Sequence, residues 1–180
     1  MTGGFKFRKN LDGSAYVPSN LYFLGANSVA FQVGDPVRIN TSGYCDLSDA
    51  VGDALVGVVV TVVDKNGKAL TPDSGYTDKW TLPATNVTAA VYGYKVGVIP
   101  ALPQYLFYND ADASLTQTME LQYFDCTVST AQIDVATATD TATASWRLIE
   151  RDPDHDGDAS KGLFQIVESQ LAPISVGNAA

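Results

Sequence analysis

The chain has 180 residues, of which 46% are hydrophobic and 17% are charged, a composition typical of a globular domain that folds without disulfide or metal support. The net charge of −9 lies wholly in residues 110–180, because residues 1–109 hold eight acids and eight bases. This acidic balance argues against nucleic acid as the partner, since phosphate binding needs clustered Lys and Arg.

The sequence pattern predicts an extended N-terminal arm at residues 1–28, with one short strand at about 16–24. It predicts a single β domain for residues 29–180. The arm carries the one basic cluster of the chain, Lys6, Arg8 and Lys9. The cluster is typical either of a solvated terminus or of an arm that docks on an acidic neighbour. The N-terminal residues lack the apolar stretch of a secretory signal, and the longest uncharged apolar run, 54–63, is far shorter than the roughly 20 residues that span a bilayer. We therefore expect a protein made in the cytoplasm, with no membrane partner.

Short strands follow one another from residue 29 onward. Gly34, Asp35 and Pro36 predict a turn in which Asp35 bonds the backbone ahead of it, followed by strands at 37–40 and 44–47. The run 54–63 is rich in Val and apolar almost throughout, so it predicts a strand with both faces covered. Asn66-Gly67 then indicates a tight hairpin turn.

The second half continues the β pattern, and it predicts strands at 87–98, 105–108, 121–128, 145–150 and 163–167, with an edge strand or loop at 133–143. No window of twelve or more residues has the 3.6-residue apolar period of a helix. The chain is therefore predicted to be all-β, a small β-barrel, β-tulip or sandwich with long loops.

Residues suited to catalysis are sparse. The single histidine, His155, lies in an Asp-rich loop, and no nucleophile with an oriented base, phosphate-cradling loop or dinucleotide fingerprint occurs. We predict that the chain is not an enzyme. Cys45 and Cys126 do not have the spacing of metal ligands, and we expect each to be a small buried hydrophobic residue. A disulfide between them is also compatible with the sequence.

One loop has metal-binding character. Asp152, Asp154, Asp156 and Asp158 alternate with other residues and are interrupted by Gly157, which matches the first half of a calcium loop. The second half fails, because Leu163 stands where a bidentate Glu is expected. The pattern is typical either of a solvated acidic turn or of a weak calcium site, and no other cofactor is indicated.

Aromatic residues are concentrated in the predicted strands, among them Tyr92, Tyr94, Tyr105, Phe107 and Tyr108. They predict packing across strands, with a sugar-binding platform as the alternative. No polar residue in the sequence singles out such a platform.

The order and spacing of several motifs over residues 30–170 resemble those of the capsid decoration, or cement, proteins of tailed bacteriophages. The resemblance rests on Gly34-Asp35-Pro36-Val37, Leu55-Val56-Gly57-Val58-Val59-Val60, Leu106-Phe107-Tyr108-Asn109-Asp110, Ser145-Trp146-Arg147-Leu148-Ile149 and Gly162-Leu163-Phe164-Gln165-Ile166-Val167. It implies a β-barrel or β-tulip virion protein that binds the outer surface of the expanded capsid, contacts the major capsid protein and often forms trimers.

Two other roles remain compatible with the sequence: a head fibre, tail or baseplate β-module, and a surface binding module whose acidic loop is ordered by calcium. For docking on a capsid, the expected residues are those of the basic arm, because chain termini readily become ordered on a neighbour. They are Phe5, Lys6, Phe7, Arg8 and Lys9.

Overall fold

A computed structural model describes residues 4–14, 19–48, 53–73, 79–88, 93–127, 130–140, 144–154 and 157–171. The regular structure in these ranges is thirteen β-strands and a single turn of 3₁₀-helix at Gln117–Met119, so the predicted all-β class is confirmed. The strands are β1 Lys6–Asn10, β2 Leu21–Leu24, β3 Ala30–Gln32, β4 Pro36–Ile39, β5 Cys45–Leu47, β6 Gly57–Val63, β7 Lys79–Thr81, β8 Lys95–Pro100, β9 Tyr105–Asp110, β10 Tyr123–Cys126, β11 Ile133–Thr139, β12 Trp146–Arg151 and β13 Lys161–Ile166.

The strands pair into three antiparallel sheets. One has six strands in the order β1-β9-β13-β12-β10-β11, one has five in the order β2-β8-β6-β4-β5, and β3 pairs with β7. Within the described ranges none of the sheets closes into a barrel, and the arrangement is sandwich-like. Each large sheet is nevertheless curled, because isolated bridges connect strands that are not neighbours in it. Gly25, just after β2, bridges to Cys45 in β5, and Ala111, just after β9, bridges to Ile133 in β11.

The ladder of β6 and β8 lies between two hydrophobic cores. Val58 and Ile99 belong to a first core, shared with the six-stranded sheet, whereas Val59 and Val62 belong to a second core on the other side of the five-stranded sheet. The prediction that both faces of this Val-rich run are covered is confirmed at Val58 and Val59, whereas Val60 and Thr61 are only partly buried. A bulge between Val59 and Thr61 shifts the β6–β8 register.

The described part of residues 1–28 belongs to both large sheets, which differs from the expected arm. β1 pairs with β9 at one edge of the six-stranded sheet, and β2 pairs with β8 at one edge of the five-stranded sheet. Phe5 is buried and stacks on Trp146 with 3.7 Å between the ring centroids. The apolar area of Phe5 and the strand pairing therefore join this segment to the domain, and no break separates it from the residues after 28.

The predicted strand at 87–98 is wrong at residues 87, 88, 93 and 94, and residues 89–92 lie outside the described ranges. β8 begins only at Lys95, and residues 84–88 form turns. The buried side chain of Asn86 holds these turns, since it donates to the carbonyls of Gly25 and Tyr94 and accepts the Tyr94 N–H at 2.8 Å. Side-chain bonds of this kind compete with strand pairing, and the alternating Val and Ala pattern does not reveal them.

The predicted turn at Gly34-Asp35-Pro36 is present and joins the N-terminal segment to β6. Gly34 has φ +93°, donates to the carbonyl of Val59 and accepts the N–H of Phe5. A Cβ at this position would lie 2.7 Å from the Cα of Gly4, so only glycine allows the two backbones to approach this closely. Asp35 bonds backward, accepting the N–H of Gln32 at 2.7 Å, and not forward as predicted.

Gly34→Ala is expected to destabilise the fold beyond the cost of the positive φ alone. The matched control is Gly43→Ala, because Gly43 has φ +83° but open space where the new Cβ would lie. The overlap with Gly4 should lower the free energy of unfolding by roughly 1–3 kcal/mol more in Gly34→Ala than in the control. Urea unfolding of both variants measures the difference, and equal losses would show that the close approach is relieved at little cost.

Asp35 should make the stability pH-dependent. Burial raises the pKa of Asp35 to about 6, above the 3.8 of an ordinary Asp, and the bond from Gln32 and the charge of Lys79 offset this only in part. Because the folded pKa lies above the unfolded one, the folded state binds the proton more tightly. The contribution of Asp35 to stability is therefore greatest below about pH 4, and it falls as the pH rises to about 6.

Asp35→Asn keeps an acceptor for the Gln32 N–H and removes the charge. The free energy of unfolding of Asp35→Asn relative to the parent chain should rise by about 1–3 kcal/mol between pH 4 and pH 7, measured by urea unfolding at each pH. A difference between the two proteins that does not change with pH would contradict the assigned cause.

Candidate functional site

The five residues predicted to dock on a capsid are divided by the structure. Phe5 lies in the first core and is only 2% exposed, so it is not available to a partner. Phe7 is half-buried and makes edge-to-face contacts with Tyr105 and Phe107. Lys6 and Arg8 are exposed, and the Lys9 side chain is 40% exposed, so these three cations and the rim of Phe7 are the accessible part of the predicted set.

β1 is an edge strand with an irregular register. Lys6 lies opposite Tyr108, Phe7 opposite Phe107 and Lys9 opposite Leu106, so Arg8 is the additional residue of a bulge. A bulge with charged side chains is a usual protection of an edge against pairing with another strand. We therefore expect partners to be bound here by side chains rather than by extension of the sheet.

A groove of about 310 Å³ lies between β1, β9 and the loop after β12. We call it the docking groove, and it is lined by Lys6, Phe7, Arg8, Tyr108 and Asp154. Two cations, two aromatic rings and one carboxylate thus meet at one place on the surface. Tyr108 was predicted to pack across strands, with a sugar-binding platform as the alternative, and its part in this groove was not recognised from the sequence.

The basic cluster and the acidic loop meet, which the sequence did not indicate. Arg8 contacts Asp154 at 2.6 Å, and Lys9 contacts Glu150 at 3.5 Å. Both pairs are well exposed, with 54% of the Arg8 side chain and 41% of the Asp154 side chain accessible. Part of the basic charge that was predicted to serve docking is therefore paired within the chain.

Three of the four predicted calcium ligands can be placed, and each is bonded to protein donors. Asp152 accepts the Gly157 N–H, Asp154 contacts Arg8, and Asp158 contacts Lys161 at 3.3 Å. Hydrogen bonds from the Ser160 hydroxyl and N–H hold the pKa of Asp158 below its usual range. Asp156 and His155 lie outside the described residues.

In the described ranges no three His, Cys, Asp or Glu side chains are grouped closely enough to hold a metal ion. A calcium site at Asp152, Asp154, Asp156 and Asp158 stays a prediction.

The two cysteines do not form a disulfide with each other. Cys45 is buried in the second core, as predicted, and Cys126 is half-buried beside the first. Burial raises the pKa of both thiols to about 12, and the Trp146 indole offsets this in part at Cys126. Thiols with pKa values this high are almost wholly protonated at neutral pH, so neither has the thiolate that nucleophilic chemistry requires.

A partly buried polar seam lies between the two large sheets, and no sequence motif indicated it. Arg38 contacts Asp53 at 3.0 Å, and the Ser145 hydroxyl donates to the Asp53 carbonyl. Burial, together with the charges of Asp125 and Asp53, raises the pKa of Glu168. Arg38 and Ser145 thus bond Asp53, whereas Glu168 lies near carboxylates of the same charge, and we assign the seam a structural role.

The described part of the chain contains no helix long and apolar enough to cross a membrane. Comparisons of the chain with protein-family models, with curated proteins and with solved structures gave no match.

The Arg8–Asp154 pair should contribute little to stability. Both side chains are exposed, so solvent and salt screen the attraction, and a double-mutant cycle of Arg8→Ala and Asp154→Ala should give a coupling of about 0.2–1 kcal/mol. The coupling should fall further in 1 M salt. A coupling well above this range, measured by urea unfolding, would show that the pair fastens the acidic loop to β1.

Proposed function

We propose that this chain is a structural, non-enzymatic virion protein that binds the outer surface of an expanded bacteriophage capsid and stabilises contacts between major capsid protein subunits. The motif order resembles that of decoration proteins, and the all-β fold is compatible with that resemblance. The observation that carries the proposal is the docking groove, where exposed cations and aromatic rings meet on a well-anchored edge strand.

The docking groove suits a protein partner with an acidic or polar side chain next to an apolar one. Lys6 and Arg8 supply positive charge, while Phe7 and Tyr108 supply aromatic surface, a combination enriched at protein interfaces. Asp154 pairs with Arg8 and competes with an acidic partner for it. Lys6 is therefore the cation that we expect to contribute most to the contact.

A binding protein of this kind stabilises a capsid without chemistry. If it binds the expanded lattice and not the precursor, mass action shifts the equilibrium toward the expanded state. Many copies multiply a modest free energy of binding per copy. We further propose that the protein is a homo-oligomer, with a trimer favoured, because a partner with several docking grooves contacts several capsid subunits at once.

Co-sedimentation with purified, undecorated, expanded capsids tests the proposal. Saturation at hundreds of copies per particle is the expected result, and a handful of copies would indicate a fibre, tail or baseplate module instead. Binding that saturates equally on unexpanded precursor capsids would contradict the proposed mode of stabilisation. No binding to either particle would contradict a capsid role.

Lys6→Glu should weaken capsid binding by about tenfold or more, since it reverses the charge at the rim of the docking groove. Lys68→Glu is the matched control, because Lys68 is also exposed but lies in the turn after β6. Equal losses in both variants would show that net charge, and not this groove, determines binding. Removal of residues 1–12 is a poor test, because it also removes Phe5 from the first core.

A further inference from the structure

Part of one face of the five-stranded sheet is exposed. Ile99 belongs to the first core, and Gly97, two residues earlier on β8, presents its Cα to the same face. In the ladder Gly97 lies between Tyr22 on β2 and Thr61 on β6. Tyr22 is 49% exposed, so at this end the six-stranded sheet does not cover the face that it covers at Ile99.

The Tyr22 ring lies over the backbone of Gly97. A Cβ at Gly97 would be 2.8 Å from Cε1 of Tyr22 and 2.7 Å from the methyl group of Thr61. The missing side chain at residue 97 is therefore what allows the ring to lie against the sheet. An aromatic ring that is supported from below and open to solvent above is a flat, pre-positioned apolar surface.

A groove of about 250 Å³ adjoins this ring. We call it the sheet-face groove, and it is lined by Tyr22, Val63, Asp64, Gly67 and Lys95. Val63 is 5% exposed and supplies an apolar floor, while Lys95 is exposed and lies opposite Val63 in the ladder.

Asp64 is held in place at the rim of the sheet-face groove. One of its carboxylate oxygens, Oδ1, accepts the N–H groups of Asn66 and Lys68 at 2.8 and 2.9 Å, which fixes the turn. The other oxygen, Oδ2, makes no hydrogen bond to the described residues. The sheet-face groove thus offers an acceptor at Asp64, a donor at Lys95 and an aromatic surface at Tyr22.

We propose that the sheet-face groove binds one pyranose unit of a surface glycan. A pyranose has an apolar face of C–H groups that stacks on an aromatic ring, and hydroxyl groups at its edge that both donate and accept hydrogen bonds. The Tyr22 ring receives the apolar face, the Asp64 carboxylate accepts from one hydroxyl, and the Lys95 ammonium donates to another. A purely apolar ligand would leave both charges without partners.

This proposal does not depend on the docking groove, because the two grooves lie on different sheets. The docking groove adjoins β1 in the six-stranded sheet, and Tyr22 belongs to β2 in the five-stranded sheet. One chain could therefore hold a capsid and a glycan at the same time. A failure of glycan binding leaves the capsid proposal as it stands, and a failure of capsid binding leaves this one.

Titration of the full chain with the methyl pyranosides of glucose, galactose, mannose, N-acetylglucosamine and rhamnose tests the proposal. The readout is the backbone amide shift in ¹H–¹⁵N NMR spectra. At least one sugar should give saturable shifts at Gly97, Thr61, Gly67 and Lys95. No saturable shift with any of the five sugars, or shifts centred elsewhere on the chain, would overturn the proposal.

Variants of Tyr22 separate stacking from other causes. Tyr22→Ala should weaken sugar binding by about tenfold or more, whereas Tyr22→Phe keeps the ring and should retain the affinity to within about threefold. Leu21→Ala is the matched control, because Leu21 is an exposed neighbour on the same strand whose side chain points to the other face.

The spectrum of each variant also reports whether it is folded, and Lys95→Met provides a second test should Tyr22→Ala fail to fold. Lys95→Met should weaken binding by about threefold or more, since it removes the donor and keeps the length of the side chain. Unchanged sugar affinity in Tyr22→Ala would overturn the proposal. Loss of capsid binding in Tyr22→Ala without any sugar binding would assign the sheet-face groove to a protein contact instead.

Discussion

The β6–β8 ladder is the constraint on which the rest of the structure depends, because it is buried on both faces for much of its length. Val58 contributes to the first core and Val59 to the second, so this one pair of strands supports both. In such a layer every backbone N–H and C=O needs a partner, and the ladder and the neighbouring strands supply them. A shift of register by one residue would exchange the two sets of Val side chains and disrupt both cores.

The anchoring of the edge strand follows from the same layer. Gly34 donates to Val59 in β6 and accepts from Phe5, so the chain just before β1 is tied to the central ladder. The stack of Phe5 on Trp146 then ties it to the six-stranded sheet. Asn109 adds a third connection, accepting the Gly4 N–H and donating to the Ala131 carbonyl. The docking groove therefore rests on a supported strand, and the binding proposed there would require little ordering of the backbone.

Local sequence patterns were sufficient to predict most strands, but not the long-range side-chain contacts that join one strand to another. The Val-rich run and the Asn66-Gly67 turn could be predicted from local sequence alone. β-branched side chains favour a strand, and a glycine readily adopts the positive φ of the turn. The expected arm differs from the structure because two phenylalanines in a short polar segment do not reveal a stacking partner as distant in the chain as Trp146. The strand predicted near Asn86 failed because buried side-chain bonds outweighed the alternating pattern.

At the candidate site, too, the sequence did not reveal a contact between residues that are distant in the chain, in this case an ion pair. The sequence indicated a basic segment and an acidic loop, but the pairing of Arg8 with Asp154 joins residues 146 positions apart. That pairing removes most of the local charge contrast, so attraction to a partner through net charge is weaker at β1 than the sequence alone indicates. In the proposed capsid role, selectivity at the docking groove would then depend on the fit of a partner to Phe7 and Tyr108 and on a single well-placed charge for Lys6. Contacts of this kind chiefly affect the rate of dissociation, whereas long-range charge chiefly affects the rate of association.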